Sequence, residues 1–392
     1  MGGLQMNEQS TFFKVPAGLL GALGALWGGV PSAISPLRPG GAAAASEGEI
    51  AALVSGGLCD AARCPVPEMV PVLDVLGSAN AFVRVYLSGG ADVDEFVVYR
   101  ASSGATASLI NRGGEFELES PAPTDVFMAI TAQLIGSSAL RSVEFDVELS
   151  GMETVVLAAV IDLQRKASLA AITQEKDPGA VALDVASIAS ACSTRTGRNQ
   201  WLATVMLELA ESDGVPADRV PSALAALSSR GLLGGGPAAY HLLGNALLLA
   251  QRFLIIDSAL TLTGGFAGAD GSVSVAGFTC LQAGVHDLLY VETAEDSAEL
   301  RCESAAAVLD YVSAFLDDPT VLQALGATPA AAVATAQPAP APAAEAPMPA
   351  APAAQAPAPV AVAAEGPRFC PRCGTPVRPG TRFCVKCGSA FQ

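Results

Sequence analysis

Four cysteines near the C-terminus have the type and spacing for metal chemistry. They form two pairs, Cys370-Pro-Arg-Cys373 followed by Gly374 and Cys384-Val-Lys-Cys387 followed by Gly388. Two sulfurs in a Cys-x-x-Cys turn sit about 3.5–4 Å apart and supply one edge of a tetrahedron, so two such turns enclose one Zn²⁺. The glycine after each pair accepts positive φ at little cost and lets backbone amides turn toward the thiolates. Phe369 and Phe383 each stand one residue before a first cysteine and supply a small apolar core. A module of about 25 residues buries too little surface to fold alone, so the metal supplies its folding free energy. Four protein sulfurs leave no open coordination position, and the expected role is structural. A redox Cys-x-x-Cys pair and a rubredoxin-like iron site are the alternatives for the same residues.

With this pattern, the stretch from Phe369 to Ser389 resembles the zinc-ribbon modules of bacteria and archaea that carry a Cys-x-x-Cys-Gly hairpin on each side. The resemblance implies Cys370, Cys373, Cys384 and Cys387 as ligands of one structural Zn²⁺. The tail also holds Arg368, Arg372, Arg378, Arg382 and Lys386 and no acid. Four thiolates and Zn²⁺ together carry two negative charges, so the loaded module is only mildly basic. Phe369, Phe383 and Phe391 are too few for a stacking platform of the kind that holds single strands. A protein contact is therefore the expected partner of the tail. Nucleic acid and the chain's own acidic body are the alternatives.

Elsewhere the residues able to do chemistry are scattered. Cys59, Cys64, Cys192, Cys280 and Cys302 are odd in number and form no disulfide framework. Free thiols beside a thiolate metal site fit a reducing, cytoplasmic compartment. Cys59 and Cys64 lack a second pair and read as incidental thiols. His241 falls in a helix-like context and His286 in a strand-like one, with no Gly-x-Ser-x-Gly elbow to accompany either. Walker A and Gly-x-Gly-x-x-Gly phosphate loops are missing from the sequence. Asp92, Asp94 and Glu95 lie in a Gly-containing turn and read as solvated carboxylates rather than a catalytic cluster. Arg195 and Arg198 mark the one basic, hydroxyl-rich run of the body. No enzyme activity is expected.

The chain has 392 residues, a formal net charge of −17 and 51% apolar residues. Acidity of this size disfavours general attraction to nucleic acid or anionic membrane. From Val15 to Leu37 there is no charge, but Pro16, Pro31 and Pro36 interrupt the run. A buried helix is expected there, not a membrane span or a signal peptide.

The elements that must position these residues fall into three parts. Residues 328–367 are almost entirely Ala and Pro, with ten prolines from Pro329 to Pro367. Such a segment buries no core and is expected to be a disordered, extended tether reaching roughly 100 Å at about 3.1 Å per residue. It leads to the tail module, residues 368–392. Before it, residues 10–140 and 141–320 read as two copies of one α+β unit. Phe82–Gly90 corresponds to Ser258–Gly265, each a strand ending in Gly-Gly. Glu95–Arg100 and Ala107–Asn111 correspond to Ser272–Phe278 and Asp287–Glu292. Glu115–Ser120 and Glu299–Ser304 alternate with period two. Phe116 and Leu118, or Leu300 and Cys302, face the core and the charges face out. A helix follows each meander, Val126–Ile135 and Ala305–Leu316. Phe13–Val15 leads into a Gly18–Trp27 helix, as Phe145–Val147 leads into a helix near Met152–Lys166. In the latter Val155, Val156, Ala159, Val160 and Leu163 form the apolar face, with Glu153, Asp162 and Arg165 off it. The fold class is thus α+β, an internally duplicated body with helices and a four-stranded antiparallel meander in each half.

In element order, residues 10–320 resemble the pseudo-twofold body of EspG-type chaperones of type VII secretion. The resemblance implies a cytosolic chaperone or adaptor that binds protein. None of that family's partner-contacting residues maps onto a motif here, and the zinc tail lies outside its pattern. A second feature points elsewhere. The helices around Trp201–Leu209 and Ala217–Ser229, followed by Arg230-Gly-Leu-Leu233, look like a winged-helix DNA reader. Phosphate neutralisation needs several cations on one face, and the second helix offers Arg219 with Arg230 just beyond it. The sequence therefore favours a zinc-binding, non-enzymatic adaptor or scaffold that engages a protein, with self-association as a further mode. A nucleic-acid-binding or transcription-associated factor is the alternative.

Overall fold

In this computed structural model the described residues are 10–38, 45–89, 92–176, 179–193, 200–210, 212–268, 270–284, 287–294, 296–318, 328–329, 368–369 and 376–377. They belong to two compact units, residues 1–337 and residues 338–392. The larger is α+β, an antiparallel sheet with helices on both faces.

The first strand is an edge strand. β1 (Thr11–Pro16) pairs antiparallel with β5 (Glu115–Ser120), placing Val15 opposite Phe116. Pro16 has no amide to donate, which an edge strand tolerates. A 3-10 turn then leads into α1 (Leu20–Trp27), which stops at Gly28 in the left-handed region at φ 77°. The uncharged run from Val15 is thus strand, turn and a short helix. Val15, Leu20, Leu23 and Leu37 join one core cluster under the sheet. Among the described residues no helix is long and apolar enough to cross a membrane.

α2 (Glu47–Ser55) and α3 (Val70–Gly77) complete this helical layer. A meander of β2 (Ala79–Gly89), β3 (Asp92–Ala101), β4 (Thr106–Asn111) and β5 follows. α4 (Thr124–Ile135) then crosses to the opposite face. The chain next repeats this order. β6 (Asp146–Ser150) enters α5 (Gly151–Thr173), and α6 (Val185–Ser193), α7 (Leu202–Leu209) and α8 (Val220–Ser229) pack beside it. A hairpin of β7 (Leu233–Gly236) and β8 (Ala239–Leu242) and helix α9 (Gly244–Arg252) come next. The second meander is β9 (Ser258–Ala267), β10 (Val273–Ala283), β11 (Asp287–Thr293) and β12 (Ser297–Glu303), and α10 (Ala305–Asp317) closes it.

All ten main strands join one sheet in the order β1-β5-β4-β3-β2-β9-β10-β11-β12-β6. Outward from the β2–β9 seam, either direction meets a meander and then the strand that opened that half. The seam itself is antiparallel, with Val85 opposite Leu262. It closes because Gly265 leaves room for the Phe82 ring, which a Cβ would meet at 2.2 Å. The two expected units are therefore parts of one sheet and one compact body. The symmetry is one of element order.

Two of the three core clusters lie on the face with the helical layers, under α1–α3 and under α5–α9. The third lies on the opposite face, where α4 and α10 pack together. Burial on both faces is why β11 buries Leu288 and Tyr290 in one cluster and Leu289 and Val291 in another.

Three sequence expectations change. α5 runs to Thr173 and is enclosed by its neighbours, so Glu153, Asp162 and Arg165 are buried instead of lying on a polar face. Arg301, expected to point outward from β12, is mostly covered, lying 3.9 Å over the Tyr290 ring and paired with Glu299 and Glu303. His241 belongs to strand β8, not a helix, because the chain turns at Pro237-Ala238 and pairs Gly234 with His241 in a hairpin.

Candidate metal centre

In the C-terminal unit two short strands, β14 (Arg368–Phe369) and β15 (Pro376–Val377), form an antiparallel hairpin. Arg368 stands opposite Val377 and Phe369 opposite Pro376. Between them in the sequence stand residues 370–375, with Cys370, Cys373 and Gly374. Two cysteines at Cys-x-x-Cys spacing can direct two thiolates to one ion. Residues 369–391 match the family model of a zinc-ribbon domain. The tail is a zinc ribbon. No curated protein matches the chain.

A zinc ribbon binds zinc structurally, and the sulfur donors of this tail suit that ion. All four cysteines of the two pairs fall inside the matched segment. Cys370, Cys373, Cys384 and Cys387 themselves lie outside the described residues, as do Arg195, Arg198, His286 and nearly all of residues 328–367.

The body holds its chemistry-bearing residues differently. Among the described residues no group of three or more His, Cys, Asp or Glu is placed to hold a metal ion. Cys59 is buried and Cys64 exposed, at the two ends of a small turn closed by a Cys59–Pro65 bridge. Burial pushes the Cys59 and Cys280 thiols up and the Cys192 thiol to about 12. These thiols therefore have little thiolate character. Asp94 pairs with Arg112 at 2.8 Å and Glu95 with Arg84 at 3.2 Å, so these two carboxylates are held in cross-strand ion pairs.

α7, α8 and the β7–β8 hairpin follow one another in winged-helix order. Yet Arg230 is committed to the body. It pairs with Glu153 at 3.5 Å and donates to the Glu148 carbonyl at 2.9 Å. Arg219, at the start of α8, is exposed.

One buried polar pair of the body was not legible as such in the sequence. Asp162 on α5 is 4% exposed and Arg165, one turn on, 1%. Arg165 Nη1 donates to the Asp162 carboxylate at 2.7 Å. That carboxylate also accepts the Leu202 and Ala203 amides, at 3.0 and 2.9 Å, and so caps α7 from another helix. Arg165 Nη2 donates to the Leu254 carbonyl at 3.1 Å. Burial pushes the Asp162 carboxyl up and the Arg165 guanidinium down, and the attraction between the two opposes both shifts. The Trp201 ring lies 5.4 Å from Arg165 and 4.5 Å from the Lys166 ammonium. A cleft of about 200 Å³ opens here, lined in part by Asp162, Lys166, Ser187, Ser190, Trp201 and Thr204. An Asp and an Arg three apart on a helix usually mark a solvated face. Only the enclosure by α6, α7 and α9 makes them a strut.

Proposed function

We propose that the chain is a non-enzymatic, zinc-binding adaptor or chaperone-like scaffold in the cytoplasm. Its body meets one protein surface, and its zinc ribbon, carried on the Ala/Pro tract, captures a second surface or another copy of the chain. Cys370, Cys373, Cys384 and Cys387 would hold the Zn²⁺, which supplies folding free energy to the ribbon and no catalytic step. The observation that carries this reading is a zinc-ribbon domain at the end of a long Ala/Pro tract. A module that folds around its own metal needs no core from the rest of the chain, so it works on a tether. A tether raises the effective concentration of the second contact to roughly millimolar when its reach matches the span.

The test is affinity capture from the native host with full-length protein and with residues 1–327, followed by solution affinities for the proteins recovered. Loss of affinity on truncation, with unchanged thermal unfolding of the body, supports the tether. Equal affinity for every partner sinks it.

One observation favours the nucleic-acid alternative, the winged-helix order of α7, α8 and the β7–β8 hairpin. With Arg230 engaged by Glu153 and the Glu148 carbonyl, α8 has Arg219 left as its exposed cation. That is too few for phosphate neutralisation, so this reading stands second. Tight, salt-sensitive binding of random duplex in an electrophoretic shift would put it first.

A further inference from the structure

We propose that the bare edge of β10 is a strand-acceptor site whose resident occupant is the chain's own Thr328–Pro329 segment, which straps the start of the Ala/Pro tract to the body. β10 pairs with β9 over residues 273–282 but with β11 only over residues 278–283. On its β11 side the stretch Val273-Ser-Val-Ala-Gly277 therefore lacks a meander partner. Thr328–Pro329, strand β13, adds there antiparallel, with Thr328 opposite Val275 and Pro329 opposite Ser274.

The other half shows why this edge needs an occupant. β3 overhangs β4 in the same way, pairing with it only over residues 96–100. That overhang carries Asp92, Asp94 and Glu95, and charge on an edge blocks strand addition. The β10 overhang carries no charge at all. It is the kind of edge that recruits a strand unless the chain provides one.

The occupant suits the site. A residue before proline is held in extended backbone, so Thr328 is set for pairing before it docks. Proline lacks an amide, so Pro329 can only accept from β10 and the ladder ends there. Two paired residues make a strap that opens and closes, not a permanent strand. Ten residues separate the end of α10 at Asp317 from Thr328, and at up to about 3.5 Å each they bridge a gap of up to roughly 35 Å. When closed, the strap makes residue 330 the first of the free tract; when open, the tract lengthens by the preceding dozen or so residues and its effective concentration at a given span falls. The inference bears on the tether proposed above, but its test needs no partner and no ribbon.

The test is amide exchange of the full-length protein, followed in the peptide covering residues 271–279, for wild type and Thr328→Pro. The substitution removes the Thr328 amide, so neither strap residue can donate to β10. Exchange in that peptide should quicken about fivefold, the factor for one net hydrogen bond, with β11 and β12 peptides unchanged. A chain ending at residue 327 should match the variant. If wild type, Thr328→Pro and the shortened chain exchange alike at residues 271–279, the edge is bare in solution and the proposal fails.

Discussion

At the scale of single residues, the body is governed by charges that were taken into it. Asp162 answers three donors at once, the Arg165 guanidinium and two amides of α7. Removing one partner of a buried pair strands the other, which typically costs about 3–5 kcal/mol. Asp162→Asn should therefore lower the unfolding free energy of the body by that amount in urea titration. A loss below about 1 kcal/mol would mean that water reaches Arg165. Glu117 is a milder case. Lys14 at 3.1 Å and Arg112 at 3.4 Å hold its carboxyl below the usual carboxylate range. A depressed folded pKa adds stability above the unfolded value of about 4.3 and loses it as pH falls through the folded value. Glu117→Gln should flatten the stability profile between pH 5 and lower values (~5 to ~3) and leave the neutral end nearly parallel to wild type. An unchanged acid limb would show that the two cations are screened by solvent.

At the scale of elements, local signals and close approaches decide where each one starts and how near it lies to the next. α5 begins with a capping box, in which the Ser150 hydroxyl accepts the Glu153 amide and the Glu153 carboxylate accepts the Ser150 amide. α2 begins the same way with Ser46 and Glu49. Both Ser-x-x-Glu patterns stand in plain view in the sequence. Ser150→Ala should cost about 1 kcal/mol, measurable as a lowered midpoint with an unchanged denaturant slope. The strands are more demanding. A Cβ on Gly277 would lie 2.2 Å from the Leu262 carbonyl oxygen of β9, a backbone atom with no rotamer to yield. Gly277→Ala should destabilise by about 2–3 kcal/mol. Gly48, inside α2 and with nothing within 4 Å of its Cβ position, is the matched control. Alanine there should stabilise by about 0.5–1 kcal/mol. Equal effects at the two sites would show that the β9–β10 spacing relaxes freely.

At the scale of the whole molecule, two ways of holding a fold sit on one chain. The body, within residues 1–337, stands on three apolar clusters and one large sheet. The zinc ribbon has too few residues for a core and depends on its metal. Cys384→Ser should abolish the zinc content of the full-length protein, read by elemental analysis, while the thermal transition of the body stays within a degree or so (~1 °C) of wild type. Loss of both together would mean that the zinc site stabilises the body as well.

What the sequence determined by itself was whatever depends on neighbours in the chain. The two Cys-x-x-Cys-Gly turns announced the zinc ribbon, because metal spacing is a local property. The period-two runs at Glu115–Ser120 and Glu299–Ser304 announced β5 and β12, and the matching element order announced an α+β body. Tertiary structure alone decided the rest. Nothing along the chain says that β2 and β9 meet at a seam, since that pairing joins residues far apart and depends on Gly265 making room for Phe82. Likewise the i,i+3 spacing of Asp162 and Arg165 is the same on a solvated helix and on an enclosed one. Burial is set by the helices that gather around α5, and those contacts are non-local, so only the folded molecule makes that pair a strut.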